Sequence, residues 1–527
     1  MIKMLVFRYL ITGTLLYLAI PCSASGDISL PKIFSDHMVV QRNSNLRIWG
    51  TAEPNENLTV RFGKQSVVAV ANPAGKWVTF VKTGPAGGPY ELEVASKDRG
   101  GAKVLVTDIL VGDIWLCGGQ TNMETPISEL ENADQEITDA RNFPLIRLFK
   151  VQHHQANQPL HDFADVNPWL CCSSDSIKSF SAIGFLFGKK LNQEINVPIG
   201  LIDVSREGIT LEAWTPYKDL ESNGQFSEML NHWNEIDSPN SPIAPGQSFN
   251  GMVAPLTGFP MAGIVWIQGE ANVGRGAQYA KMFPLMINSW RSRLGPKIPF
   301  LFAQLAPFRY ENFTVEALPE IWDAQLKTFK SVSRTGMVVA SDLADLQSID
   351  IKNKEVLATR LAAWALASAS KKTNSAKKPE PANSSRSRDT NVNAKPNSAD
   401  QPHTSEVKTS APATTTNMKQ HSGPIFQSFE TMGNEIVVSF RFADGLTIKG
   451  NDKSSFVVCG EDKKFVPAVA RVEGSKLIIS SPDIANPIAA RYAWHDTALP
   501  SLTNSEGLPA SPFRTDDFRL TSAGVNF

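Results

Sequence analysis

Residues 114–124 read Ile-Trp-Leu-Cys-Gly-Gly-Gln-Thr-Asn-Met-Glu, and the fold of the central part of the chain depends on this stretch. Its apolar start is typical of a buried strand. Two glycines then permit a tight turn, and Thr121 follows where a helix would begin. This order exposes one hydroxyl beside backbone N–H groups. The stretch predicts a strand-end site, although a threonine after a glycine turn is commonly only a helix cap.

Strand-like and helix-like segments alternate from residue 108 to residue 368. Short apolar runs at 199–204, 264–267, 299–305 and 337–340 have the length of buried strands. Between and after them, apolar residues recur at helical spacing, as in 279–290 and 357–365. This alternation predicts an α/β domain with a parallel sheet covered by helices on both faces. Ligands of such sheets bind at the carboxyl ends of the strands.

The regions on either side have a different pattern. Residues 26–107 contain many short alternating runs separated by turn residues, which predicts an N-terminal β-sandwich domain. Residues 424–527 return to this pattern and predict a C-terminal β domain. Residues 369–423 are predicted to be a disordered, low-complexity linker, because residues 371–420 contain no Leu, Ile, Phe, Trp or Tyr.

Charge and the first residues of the chain limit its partners and location. The 527 residues carry a net charge of −1, so no basic excess exists to bind nucleic acid. Residues 1–25 combine a cationic start, a short apolar run and small residues, which predicts a signal peptide. We therefore expect a secreted or periplasmic protein without stable membrane insertion after leader removal. The cysteines show no metal or disulfide spacing, and neither a metal site nor a cofactor is expected.

Two further predicted strands end in polar loops. Residues 204–210 read Val-Ser-Arg-Glu-Gly-Ile-Thr, and residues 268–272 read Gln-Gly-Glu-Ala-Asn. The carboxamide of Asn272 could donate a hydrogen bond to a developing oxyanion. Each loop alone is a weak signal.

Together the three loops make the chain resemble the sialate O-acetylesterase family, which consists of secreted carbohydrate esterases with an SGNH-hydrolase-type domain. The resemblance includes residues 34–42, 250–256, 460–468 and 506–516. It implies a three-layer α/β/α domain with flanking sandwich-like or jelly-roll-like β regions. It also implies hydrolysis of O-acetyl esters on sialic acid or other sugars by a serine, a histidine and an aspartate.

The chain departs from the family pattern at the reacting groups. The family loop Gly-Gln-Ser-Asn-Met has Thr121 at the nucleophile position here. By alignment to the family's Asp-x-His-Pro segment, Asp350 occupies the histidine position and Ser348 the aspartate position. In the second loop the family's Gly-Gly-Thr becomes Glu207-Gly208-Ile209.

The resemblance assigns the remaining site residues. The oxyanion donors would be Thr121, Gly208 and Asn272. The pocket would be formed by Gln120, Asn122, Glu207, Gln268 and Glu270.

These substitutions predict a catalytically impaired protein. A hydroxyl needs a base with a pKa near neutral, and a free aspartate titrates near about 3.9. Thr121 adds a methyl beside its hydroxyl, and Glu207 would bring negative charge toward the oxyanion. The leading hypothesis is a carbohydrate-binding pseudoenzyme whose ligand is an O-acetylated sugar or glycan. One alternative is a slow acetylesterase that uses Thr121 with a base such as Asp350, and another is a scaffold with an empty pocket.

Overall fold

The computed structural model describes residues 27–235, 243–375, 421–450 and 455–526. The predicted signal peptide and residues 376–420 of the predicted linker lie outside this part of the chain. Among the described helices, none has the length and apolar character required to cross a bilayer.

Seven strands form the N-terminal region. They are β1 (Val39–Gln41), β2 (Asn45–Thr51), β3 (Asn57–Phe62), β4 (Gln65–Val70), β5 (Lys76–Lys82), β6 (Gly87–Ser96) and β7 (Lys103–Gly119). β3 pairs with β4 and β6, β6 pairs with β7, and β2 pairs separately with β5. Alternating residues of these strands are buried, as expected where two sheets enclose a common core.

Strand β7 belongs to two regions of the molecule. Its first part pairs with β6 and with β1, up to the pair of Gln41 with Gly112. From Asp113 onward it enters the central sheet. The N-terminal and central regions are therefore joined by a continuous strand rather than by a flexible linker.

The central sheet has the order β13-β12-β11-β7-β10-β8-β9. Its other strands are β8 (Ile146–Lys150), β9 (Leu170–Cys171), β10 (Ile199–Asp203), β11 (Gly263–Ile267), β12 (Phe300–Ala303) and β13 (Thr335–Val338). All pairings are parallel except that of β9. The expected α/β fold is confirmed.

Helices cover both faces of this sheet. They are α1 (Thr121–Glu124), α2 (Ala133–Asp139), α3 (Ala182–Ile195), α4 (Leu211–Trp214), α5 (Tyr217–Glu221), α6 (Ser227–Glu235), α7 (Gly276–Leu294), α8 (Ala317–Ser331) and α9 (Lys354–Ser375). α3 packs against α9, and α7 packs against α8. Trp290 of α7 contacts Trp266 and Phe300 of the sheet. α9 continues seven residues beyond position 368, where the sequence predicts the linker to begin.

The C-terminal region consists of antiparallel strands, as expected. They are β14 (Ile425–Met432), β15 (Glu435–Arg441), β16 (Thr447–Ile448), β17 (Phe456–Cys459), β18 (Val466–Pro467), β19 (Val469–Glu473), β20 (Lys476–Ser480), β21 (Ala489–Tyr492), β22 (Leu502–Thr503) and β23 (Phe513–Arg514). They form two four-stranded sheets and one two-stranded sheet.

The end of the chain is fastened to the central domain through Glu320. This carboxylate on α8 is buried and accepts hydrogen bonds from the backbone and hydroxyl of Thr521 and of Ser522. Four donors to one buried carboxylate form a strong junction, because hydrogen bonds to charged groups contribute more than neutral ones.

We expect Glu320→Ala to lower the free energy of unfolding by about 2–3 kcal/mol, because Thr521 and Ser522 lose their charged acceptor. Thermal denaturation and limited proteolysis near the C-terminus would measure this. Glu311→Gln, at an exposed position, is the control. Equal stability of both variants would contradict the anchoring role of Glu320.

Candidate active site

The three polar loops identified in the sequence meet at one edge of the central sheet. β7 lies between β11 and β10, and residues 118–124, 204–210 and 268–272 include or directly follow the carboxyl ends of these strands. Gly119 has φ +145°, and an added Cβ would collide with the carbonyl oxygen of Ile267. This position therefore requires glycine, and the turn places Thr121 at the first residue of α1.

Thr121 opens into a cleft of about 440 Å³. Charged side chains of both signs line it, including Glu124, Glu129, Lys150 and Glu207. Within the described residues, no side chain forms a hydrogen bond with the Thr121 hydroxyl. Thr121 therefore lines the cleft, and within the described part of the chain its hydroxyl is not hydrogen-bonded to a candidate base.

Asp350 is close to α1, but its carboxylate is bonded elsewhere. Its Oδ1 lies 2.6 Å from Nζ of Lys354 and accepts from the hydroxyl of Thr125 at 2.9 Å. The Lys354 side chain is only 1% exposed. Burial lowers the pKa of the Lys354 ammonium, and the charge of Asp350 partly offsets this effect. The substituted position thus holds the counter-ion of a buried lysine.

Ser348 lies beside the backbone of Asp350 rather than beside its carboxylate. Its hydroxyl oxygen accepts from the amide of Asp350 at 3.1 Å, and its own amide donates to the carbonyl oxygen of Asp345. Ser348 therefore shapes the loop.

Asn122 holds this loop against the first one. Its Nδ2 donates to the carbonyl oxygen of Ile349 at 3.0 Å and to Oε1 of Glu270 at 3.2 Å. Its Oδ1 accepts from the amide of Ile351 at 2.8 Å. The backbone on both sides of residue 350 is therefore fixed independently of the side chain at that position.

Glu270 and Gln120 connect the first and third loops. Oε1 of Gln120 accepts from the Gly269 amide at 3.0 Å. Burial raises the pKa of the Glu270 carboxyl, and the charge of Asp350 adds to the increase. Its Oε2 is buried and has no hydrogen-bond partner within the described part of the chain.

Asn272 is buried beneath α4. Its Oδ1 accepts from the Leu211 amide at 2.9 Å and from Nε2 of Gln268 at 2.8 Å. Its Nδ2 donates to Glu212 at 2.9 Å, and Arg275 binds the same carboxylate at 2.6 Å. In this arrangement Asn272 positions the second loop on the third, and its role as an oxyanion donor stays a prediction.

Gly208 and Glu207 lie in the second loop at the edge of the cleft. Gly208 has φ +69°, and an added Cβ would meet no atom within 4 Å. The positive φ of the backbone, rather than a lack of room for a side chain, therefore favours glycine at this position. The backbone amide of Glu207 donates to the Glu124 carboxylate, while its side chain is exposed.

A pair that the sequence did not reveal is formed by Glu124 and His153. Nε2 of His153 lies 2.8 Å from Oε1 of Glu124. Burial raises the pKa of Glu124, but the bonds from His153 and the Glu207 backbone outweigh it and hold that pKa below its usual range. The two residues are far apart in sequence, so only the fold brings them together. The pairing of Asp350 with Lys354 also depends on the loop conformation, because α9 begins only at Lys354 and Asp350 lies in the loop before it.

One group of possible metal ligands lies away from this cleft. His37, Asp108 and Cys171 offer ligand atoms within 4.8 Å of one another. Arg147 donates to the same Asp108 oxygen as His37, at 3.0 Å. A guanidinium at this oxygen opposes a bound cation, so these residues do not fit a metal site.

The parallel sheet, the helices that cover it and the polar cleft at its strand ends define an α/β domain with a candidate active site. Residues 111–366 match the family described as carbohydrate esterase, sialic acid-specific acetylesterase. The sialate O-acetylesterase of Mus musculus is 29% identical over 382 residues, covering 62% of this chain and 70% of that protein. The human enzyme is 28% identical over 359 residues, covering 62% and 68%.

A solved structure is similar to this chain over most of its length. A carbohydrate acetylesterase from Xanthomonas citri superposes with a TM-score of 0.75 at 28% identity, covering 93% of this chain and 100% of that one. The central domain of this chain therefore matches the sialate O-acetylesterase family. The family implies a carbohydrate as the substrate class.

The Asp350–Lys354 pair generates a pH-dependent prediction. Asp350→Asn would leave the buried Lys354 cation without its counter-ion and lower the stability by about 1–3 kcal/mol at pH 7. The loss of stability in Asp350→Asn arises from the charged form of Lys354. It is therefore fully present at a pH below the lowered pKa of Lys354 in the folded protein. It should fade as the pH rises toward the ordinary lysine pKa near 10.5, where both states lose the proton.

Thermal denaturation from pH 6 to pH 10 would measure this dependence. Asp350→Asn combined with Lys354→Met is the matched control, and it should regain most of the lost stability at pH 7. A loss that is the same at every pH, or no rescue by Lys354→Met, would show that the ion pair is not the cause.

Proposed function

We propose that this chain is an exported member of its family that binds an O-acetylated sugar at the strand-end cleft and hydrolyses it poorly or not at all. The observation that carries the proposal is the placement of Asp350. Its carboxylate is paired with Lys354 and Thr125, and no described side chain bonds to the Thr121 hydroxyl. Removal of a proton from that hydroxyl is therefore unassisted, which raises the barrier to nucleophilic attack.

Binding places fewer demands on these residues than hydrolysis does. The cleft offers carboxylates, amines and hydroxyls beside Thr121, and such groups hydrogen-bond sugar hydroxyls without any need for a base. Export rests on the predicted signal peptide at residues 1–25 alone.

The second candidate is a slow acetylesterase that uses Thr121. The feature that favours it is the position of Thr121 at the start of α1, beside the open cleft and after an unchanged glycine turn. Its base would be Asp350, after a rearrangement that frees this residue from Lys354.

Acetate release from an activated acetyl ester and from an O-acetylated sialoside separates these candidates. We expect wild-type turnover far below the usual range of about 1–10³ s⁻¹ and equal to that of Thr121→Val, which removes the hydroxyl but keeps the shape. Turnover within that range that is lost in Thr121→Val would overturn the proposal. A slow rate lost in Thr121→Val would support the second candidate.

Ligand binding is measured separately by thermal denaturation with O-acetylated sugars. The proposal expects a ligand-dependent rise in melting temperature without acetate release. The absence of any shift would favour a scaffold with an empty pocket.

Restoring the family residues is the sharpest test. We expect Thr121→Ser, Ser348→Asp, Asp350→His and Glu207→Gly together to raise turnover by about a hundredfold or more. The reason is that Asn122 fixes the backbone on both sides of residue 350 and would place an imidazole in the same position. The same set with Asp350→Gln instead of Asp350→His is the control. Equal turnover of the two sets would contradict the assignment of residue 350.

A further inference from the structure

A second cleft lies between the N-terminal sandwich and the central domain. Its volume is about 640 Å³. Arg47 and Trp49 of β2 and Trp77 of β5 contribute to one wall, while Phe249 and Arg293 of the central domain contribute to the other. Arg47 and Trp49 are two residues apart on one strand, so their side chains lie on the same face.

Arg47 is the unusual group in this cleft. Its guanidinium lies over the indole of Trp49, 4.4 Å from the ring centroid. Its one hydrogen bond within the described residues goes from Nη1 to the carbonyl oxygen of Thr257. No described carboxylate forms an ion pair with it, and burial lowers the pKa of the guanidinium. The remaining N–H groups of Arg47 are therefore available to an anionic acceptor.

The cleft also contains other charged side chains, and most of these have partners or are exposed. Arg293 is paired with Asp219 at 2.7 Å. Asp162 lines the cleft, and its Oδ1 accepts from the amides of Lys32 and Phe163. Lys76 adds a further positive charge to the lining. The balance of the lining is cationic, and neither Arg47 nor the exposed Lys76 forms an ion pair within the described residues.

We propose that this junction cleft binds an acidic sugar residue of a glycan, with Arg47 bound to the sugar carboxylate. A guanidinium with free N–H groups matches a carboxylate in a bidentate arrangement. Trp49 holds the guanidinium in position, because a cation over the face of an indole is attracted to the ring. Trp77 is 3% exposed, and its indole N–H has no hydrogen-bond partner within the described residues. This site is distinct from the strand-end cleft, and the proposal does not depend on whether Thr121 is active.

Calorimetric titration of the full chain with trigalacturonic acid and its neutral methyl ester tests this proposal. We expect the acid to bind about tenfold or more tightly than the ester, and Arg47→Gln to abolish the difference. Arg47→Lys should retain part of it, because the charge remains without the planar fork. Thermal denaturation checks that each variant is folded.

Thr121→Val is the control that separates the two clefts. We expect it to bind the acid as the wild type does. Equal binding of acid and ester, unchanged affinity in Arg47→Gln, or no binding of either compound at millimolar concentration would overturn the proposal. Loss of binding in Thr121→Val would place the acid in the strand-end cleft and would also overturn it.

Discussion

The structure depends on the pairing of one long strand with two sheets. β7 runs for 17 residues, and the register that fixes it to β6 also fixes where it enters the central sheet. Its backbone passes so close to other segments of the same chain that Gly112 and Gly119 have no room for a Cβ. Only Gln120 separates Thr121 from β7, and the amide of Gln120 donates to the carbonyl oxygen of Ile267, so backbone hydrogen bonds rather than local loop preferences determine where Thr121 lies.

The other half of the candidate site is held by polar side chains. Asn122 binds the backbone at residues 349 and 351, and the pair of Asp350 with Lys354 joins the same loop to α9. The carboxylate of Asp350 therefore has a structural partner in Lys354. To act as a base for Thr121, it would have to point toward the Thr121 hydroxyl instead. Its Oδ1 is bonded to the buried ammonium and to the hydroxyl of Thr125, which fixes the orientation of the carboxylate. The Asp350–Lys354 pair therefore contributes to holding this loop against the start of α9.

The sequence predicted the elements with a strong local signal. The central strands, the helices around Trp290 and Trp364 and the convergence of three polar loops follow from hydrophobic periodicity and topology. The predicted boundary between residues 107 and 108, by contrast, falls inside β7. Asp108 has a positive φ of 51°, and the strand continues through it because β7 pairs with β6 and with β1 around this residue. The contact of Glu124 with His153 depends on long-range folding and left no local pattern.

The segment that contains His153 also relates the two clefts. It leaves β8, reaches Glu124 at the strand-end cleft through His153, and arrives at Asp162 on the wall of the junction cleft. Along the way the amide of Leu160 donates to the carbonyl oxygen of Asn250, which ties the segment to the wall that bears Phe249. The His153 contact at the strand-end cleft and the Asp162 wall of the junction cleft are therefore parts of one connected segment.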